Sequence, residues 1–304
     1  MARLSFKERF FDPRPPARRP RRAAYALPTL FTAGNIFLGF IAIVRAVEGT
    51  LLASTGQLGS NPHFEVAAKA IGAAVVLDGL DGRIARMTNT VSDFGREMDS
   101  LADVITFGIA PAVLAYTWGV QFVVPGGFLM DHRAGYFIAF LFLLCGAARL
   151  ARFNVQTNPV PKNPGRPDRK YFVGLPIPAG AGMVAAIVYA TDSVPLEWWI
   201  LSALWLGVLA LLAFLMVSTW RYPSFKEVHF KGPRSPLTVI LFGALIYLIW
   251  NYSQPVLLTL ATIYVGTGIV IRAAGIIRRK VRPQPPARQP EHPTTSEPLI
   301  DPGH

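Results

Sequence analysis

An all-α bundle built into a lipid bilayer is the architecture this sequence predicts, and three observations carry that reading. Hydrophobic residues make up 52% of the 304 residues and charged ones only 16%, against about 25% charged in a soluble domain. The apolar residues gather into eight long runs, each near the length that crosses a hydrocarbon layer of roughly 30 Å as a helix. The basic residues fall in alternate connections between those runs. A soluble protein would have to bury eight such helices on every side, and a disordered chain would lack the hydrophobicity. The single Cys145 leaves no disulfide framework and no cysteine-based metal centre.

The runs lie at about 26–46, 65–83, 100–119, 134–151, 174–192, 197–218, 236–251 and 255–276. Six are strongly apolar, whereas 65–83 and 100–119 carry aspartates at their ends. The first run is preceded by 24 residues rich in Arg and Pro and is too long for the apolar part of a cleaved leader. If the N-terminus is cytoplasmic and eight helices alternate, 27 of the 30 Lys and Arg lie on the cytoplasmic side. Only Arg45, Lys69 and Arg133 lie on the other. Such a split sets orientation by the positive-inside rule. It also accounts for the net charge of +12, which sits where anionic headgroups attract it. No nucleic-acid partner is needed.

This gives a domain plan. Residues 1–24 form a flexible basic cytoplasmic tail. Residues 25–220 form a six-helix core, and 221–280 two further transmembrane helices. Residues 281–304 form a flexible Pro-rich cytoplasmic tail, of a composition that cannot bury a core. Both termini are expected in the cytoplasm, in a multi-pass protein of the cell (inner) membrane. Trp198, Trp199, Trp205, Trp220 and Trp250 fall mostly near run ends, as an interfacial belt would place them.

Chemistry concentrates in one place. Six of the 18 acidic residues fall within the 26 residues from Asp78 to Asp103. Asp78 and Asp81 stand three apart and share a helix face, and Asp99 and Asp103 stand four apart and share another. The two helices are consecutive and joined by a short polar turn, so they should be antiparallel neighbours with four converging carboxylates. Carboxylates near membrane depth must pair, protonate or bind a cation. An all-oxygen set suits Mg²⁺ or Mn²⁺. With Arg83, Arg86 and Arg96 nearby, a metal-assisted phosphoryl transfer is one reading. A cation pathway in a transporter and a helix-end ion-pair network are the others. Gly82 and Ala85, beside the acids, would let a flat ligand approach the backbone, although helix packing uses small residues too.

The segment from Asp78 to Asp103 resembles the signature of the CDP-alcohol phosphatidyltransferases, D-x2-D-G-x2-A-R-x8-G-x3-D-x3-D. Asp78, Asp81, Gly82, Ala85, Arg86, Gly95, Asp99 and Asp103 match it at every specified position. Leu150-Ala151-Arg152-Phe153-Asn154-Val155 and Gly174-Leu175-Pro176-Ile177-Pro178-Ala179 are similar to segments of that family's membrane-embedded phosphatidylserine synthases. The likeness spans about 27–220.

The resemblance implies six core helices, a homodimer, and a site opening near the cytoplasmic face. It implies transfer of a phosphatidyl group from CDP-diacylglycerol to the hydroxyl of L-serine, with release of CMP. Glycerol phosphate, inositol phosphate or choline are alternative acceptors of the same chemistry. It implies divalent metal, Mg²⁺ or Mn²⁺, on Asp78, Asp81 and Asp99, with Asp103 completing the metal site and acting as general base. CDP-diacylglycerol would be contacted by Gly82, Ala85, Arg86 and Gly95, and by Thr32 and Asn35 of the first helix. Arg149, Arg152 and Asn154 would face the serine, whose carboxylate calls for cations. The glycine pattern at 180–185 lacks the strand–turn–helix setting of a dinucleotide fingerprint, and mid-helix Cys145 reads as an inert packed thiol.

Overall fold

The computed structural model describes residues 22–57, 59–88, 93–123, 132–157, 171–223 and 236–281. Both expected tails lie outside them, apart from the first residues of α1 and the last of α9. Among the described residues the chain forms α1 (Arg22–Ser54), α2 (Pro62–Thr88), α3 (Asp93–Asp103), α4 (Ala110–Gly119) and α5 (His132–Thr157). Then follow β1 (Tyr171–Val173), α6 (Ile177–Ala190), α7 (Trp199–Val217), β2 (Arg221–Pro223), α8 (Pro236–Asn251) and α9 (Ser253–Val281). A π-helical stretch, Val104–Ile109, joins α3 to α4 into one continuous rod. Each of the eight apolar runs is therefore a helix, and the fold is an all-α, multi-pass membrane bundle.

Five of these helices are long and apolar enough to cross a bilayer: 30–54, 94–119, 132–155, 199–217 and 253–274. Helices α2, α6 and α8, the other three of the eight apolar runs, fall outside those limits of length and composition. Helix α2 carries Glu65, Lys69, Asp78, Asp81 and Arg83 along its length. Helices α6 and α8 have 14 and 16 residues, or about 21 and 24 Å at 1.5 Å per residue. Backbone chemistry shortens α6 at both ends. Gly174 has φ +78° and Asp192 and Ser193 have φ near +55°, and Pro176 holds the extended N-cap position. The left-handed region is readily reached only by glycine, and helices end where it is entered.

Inside a bilayer, lipid is as apolar as leucine, so helices associate through close contact of small residues and through polar bonds. Helices α1 and α2 make the most extensive pairing in the fold. Ala42 and Ala46 on α1, and Ala67, Ala70 and Ala74 on α2, are buried at helical spacing. Gly39 brings α1 against the π stretch: a Cβ there would lie 2.6 Å from Thr106 Oγ1 and 2.9 Å from its Cα. Helix α2 starts as its sequence dictates. Asn61 is the N-cap, its Oδ1 accepting from the backbone N–H of His63 at 3.1 Å and of Phe64 at 3.4 Å, and Pro62 takes the first helical position, where its missing N–H costs nothing.

The far side of the bundle is α5 against α7 and α6 against both α2 and α9. Trp118 and Trp205 pack edge to face at 5.1 Å, and Trp205 Nε1 donates to the Ala115 carbonyl at 3.0 Å. Strands β1 and β2 pair antiparallel, Phe172 opposite Tyr222, and so strap the α5–α6 connection to the α7–α8 connection. This short ladder was not expected from the sequence.

Candidate active site

The four aspartates converge. Asp78 and Asp81 lie in the C-terminal half of α2, and Asp99 and Asp103 at the end of α3. One carboxylate oxygen from each of Asp78, Asp99 and Asp103 lies within 4.8 Å of the others. Asp81 is 7% exposed; its Oδ2 accepts from Thr32 Oγ1 of α1 at 3.0 Å, while Oδ1 has no partner. Asp103 Oδ1 is likewise buried without one. Asn35, one turn along α1 from Thr32, is 2% exposed and leaves its Oδ1 unpaired, while its main-chain carbonyl accepts from Thr106 Oγ1 at 3.0 Å. Arg149 of α5 is 8% exposed and its Nε is unpaired.

Buried polar atoms without partners are rare and costly. Here Asp81, Asp103, Asn35 and Arg149 each bring one into the same end of the bundle. Three carboxylates within 4.8 Å repel one another unless a cation lies among them. The donor set is all oxygen, which fits a hard divalent cation. The orphaned oxygen of Asp103 fits the same conclusion.

A cavity of about 940 Å³ opens beside the acids. Asp78, Asp99, Asp103, Gly82, Arg83 and Arg149 line one end. The remaining wall is mainly apolar and runs along α2, α6 and α9, towards Lys69, Tyr189 and Ser253. Two glycines explain its width. Gly72 and Gly79 of α2 line it, and a Cβ on either would meet no atom within 4 Å. A helical glycine costs about 1 kcal/mol relative to alanine, and neither recovers that by close packing. Their effect is to leave room for a ligand.

The other expected site residues divide. Gly95 lies half-buried one turn before Asp99 on α3. The side chains of Ala85 and Arg86 lie outside the described residues. Arg152 donates from Nη1 to the Val217 carbonyl at 3.1 Å and from Nη2 to the Val173 carbonyl at 3.5 Å. Asn154 Nδ2 donates to Ser100 Oγ at 2.8 Å, tying α5 to α3. Among the three residues expected at a serine pocket, only Arg149 lines the described cavity. Sequence reasoning missed Tyr264, Tyr189 and Ser253 of the wall, because their polar groups sit alone in apolar runs without motif spacing.

The metal-fitting acid trio, the buried arginine and the apolar cavity inside a membrane bundle describe an enzyme acting on a lipid carrying phosphate groups. The model of the CDP-alcohol phosphatidyltransferase family matches residues 25–209, and the chain belongs to that family. The chain is 38% identical over 229 residues to CDP-diacylglycerol–serine O-phosphatidyltransferase of Helicobacter pylori, covering 75% of this chain and 84% of that protein. It is 34% identical over 201 residues to the protein of the same name from Bacillus subtilis, covering 66% and 92%. It is 34% identical over 200 residues to archaetidylserine synthase of Methanothermobacter thermautotrophicus, covering 65% and 70%.

Proposed function

We propose that this protein transfers the phosphatidyl group of CDP-diacylglycerol to the hydroxyl of L-serine, giving phosphatidylserine and CMP. The observation that carries the reading is the clustering of Asp78, Asp99 and Asp103 within 4.8 Å at the mouth of an apolar cavity that also holds a buried arginine. The acids suit a metal–diphosphate and the arginine suits an anionic acceptor. The apolar wall suits the diacylglycerol. The names of the relatives add serine as the acceptor.

In this reading Asp78, Asp81, Asp99 and Asp103 hold divalent metal, Mg²⁺ or Mn²⁺. A cation held there would supply positive charge against the diphosphate and the departing CMP. Gly82, Ala85, Arg86 and Gly95 face the CDP part, joined by Thr32 and Asn35 of α1. Asp103 accepts the serine hydroxyl proton. The serine oxygen forms a bond to the β-phosphorus, the bond from that phosphorus to the bridging oxygen breaks, and CMP leaves with the electron pair. Arg149 holds the serine carboxylate. Arg152 and Asn154 serve the acceptor side by fixing the backbone of β1 and the position of α3 around it.

The site faces the cytoplasm in this proposal, with both termini on that side of the cell (inner) membrane, because 27 of the 30 basic residues lie on the loops of that side. The catalytic core is 25–220, followed by the further helices of 221–280, and the working unit is a homodimer, as the resemblance implies. Purified protein given CDP-diacylglycerol, Mg²⁺ or Mn²⁺, and labelled candidate alcohols should release CMP and label one phospholipid, phosphatidylserine. CMP release with glycerol phosphate, inositol phosphate or choline in place of serine would replace the acceptor. Metal flux without CMP release would replace the reaction.

A further inference from the structure

Helix α9 lies beyond residue 209, where the family match ends, yet it forms part of the active-site cavity. Ser253, Leu257, Ala261 and Tyr264 all line it. Their spacing of four, four and three places them on one helix face. The helix is anchored at both ends of that face. Tyr189 Oη and Ser253 Oγ are 2.7 Å apart, and Gln254 Nε2 donates to Asp192 Oδ1 at 2.7 Å. At the other end the Tyr264 ring lies against Tyr222 of β2, centroids 6.0 Å apart. One turn further on, Gly268 admits the Tyr222 ring where any Cβ would collide with it. Tyr264 is therefore held from behind by a fully buried aromatic.

Its cavity side faces the charged end. Tyr264 and Arg149 line the same space. A phenol O–H and a guanidinium are both donors that a carboxylate accepts from. We propose that α9 completes the wall of the active-site cavity and that Tyr264, together with Arg149, binds the carboxylate of the acceptor and so selects serine over acceptors without one. The inference rests on serine being the acceptor.

The test is Tyr264→Phe in the full-length protein, which keeps the ring packing and removes the hydroxyl. Tyr222→Phe is its companion, since that hydroxyl is buried without a partner and outside the cavity lining. Loss of one hydrogen bond to a charged group corresponds to about a tenfold change. The expected result for Tyr264→Phe is a serine KM raised about tenfold, with the CDP-diacylglycerol KM unchanged within about twofold. Thermal stabilisation by added serine should weaken by the same factor, and the preference for serine over ethanolamine should fall. Tyr222→Phe should leave all of these in place. An unchanged serine KM, or a parallel rise in both KM values, overturns the assignment while serine remains the acceptor. Unaltered protein that uses another alcohol and not serine overturns the acceptor reading itself, and the inference with it.

Discussion

The two ends of the bundle treat their polar groups in opposite ways. At the end remote from the acids most are matched, the buried Trp118 Nε1 being an exception. Asn61 caps α2 and also donates to the Gly49 carbonyl at 2.8 Å. Arg45 Nη1 lies 2.8 Å from Glu48 Oε2, and His63 Nδ1 lies 3.1 Å from the same oxygen. Lys69 pairs with Glu65 and sits 5.2 Å from the Tyr189 ring centre. At the acid end, Asn35, Asp81, Asp103 and Arg149 each keep a buried atom unpaired. The first end holds the helices in register. The second gives up stability for groups a ligand completes, as functional sites commonly do. Polar groups within one bundle can thus be sorted by satisfaction rather than by residue type.

The largest effect separating the ends should come from Asp99→Asn. Removing one of three crowded carboxylates should abolish metal-dependent CMP release, by about 10²- to 10⁴-fold or more. The same change should leave the thermal midpoint of the metal-free protein unchanged or raised, because repulsion is relieved. A lowered midpoint together with full activity would erase the contrast. Asp103→Asn should lower kcat by about 10²- to 10⁴-fold if the residue takes the proton, and near-normal turnover in folded protein would remove it as base.

Two glycines give a matched pair at intermediate size. Gly39→Ala must push the π stretch away from α1, since the new Cβ would lie 2.9 Å from Thr106 Cα. We expect about 1–3 kcal/mol of destabilisation together with loss of activity, as Asp103 immediately precedes that stretch. Gly119→Ala meets the Trp205 side chain at the other end and should cost similar stability with kcat retained. Equal activity loss in both would show that the ends are not separable. The smallest change is Asn61→Ala, which removes a helix cap worth about 1 kcal/mol. It should lower the melting temperature in detergent and leave both KM values alone.

Much of this was legible in the sequence because apolar runs and fixed spacings are local signals. All eight runs became helices, and the intervals between Asp78 and Asp103 brought acids of α2 and α3 together, Asp78 with Asp99 and Asp103, although both helices pack chiefly on α1. What stayed hidden depends on contacts distant in the chain. Thr32 reaches Asp81 across 49 residues, and β1 pairs with β2 some 50 residues on. Arg152 read as a ligand-binding cation, yet it is occupied by two backbone carbonyls, a role that basic charge does not advertise. The entry of α9 into the cavity follows only from packing, since its face looks like any apolar helix. The widened turn after Asp103 had no composition to betray it.

That widened turn has a consequence for how the chain tolerates length changes. Residues 104–109 follow an i→i+5 bonding pattern, so the rod takes in one more residue there than a regular helix would over the same rise. Deleting a single residue from it would let the rod relax to ordinary winding with the downstream face kept in place, whereas the same deletion in a regular turn would rotate everything beyond it by about 100°. Asp99 and Asp103 would keep their places, and Leu114, Ala115 and Trp118, fully buried, would stay buried. A one-residue deletion in this stretch should therefore be tolerated far better than one in the regular turns of α3 or α4.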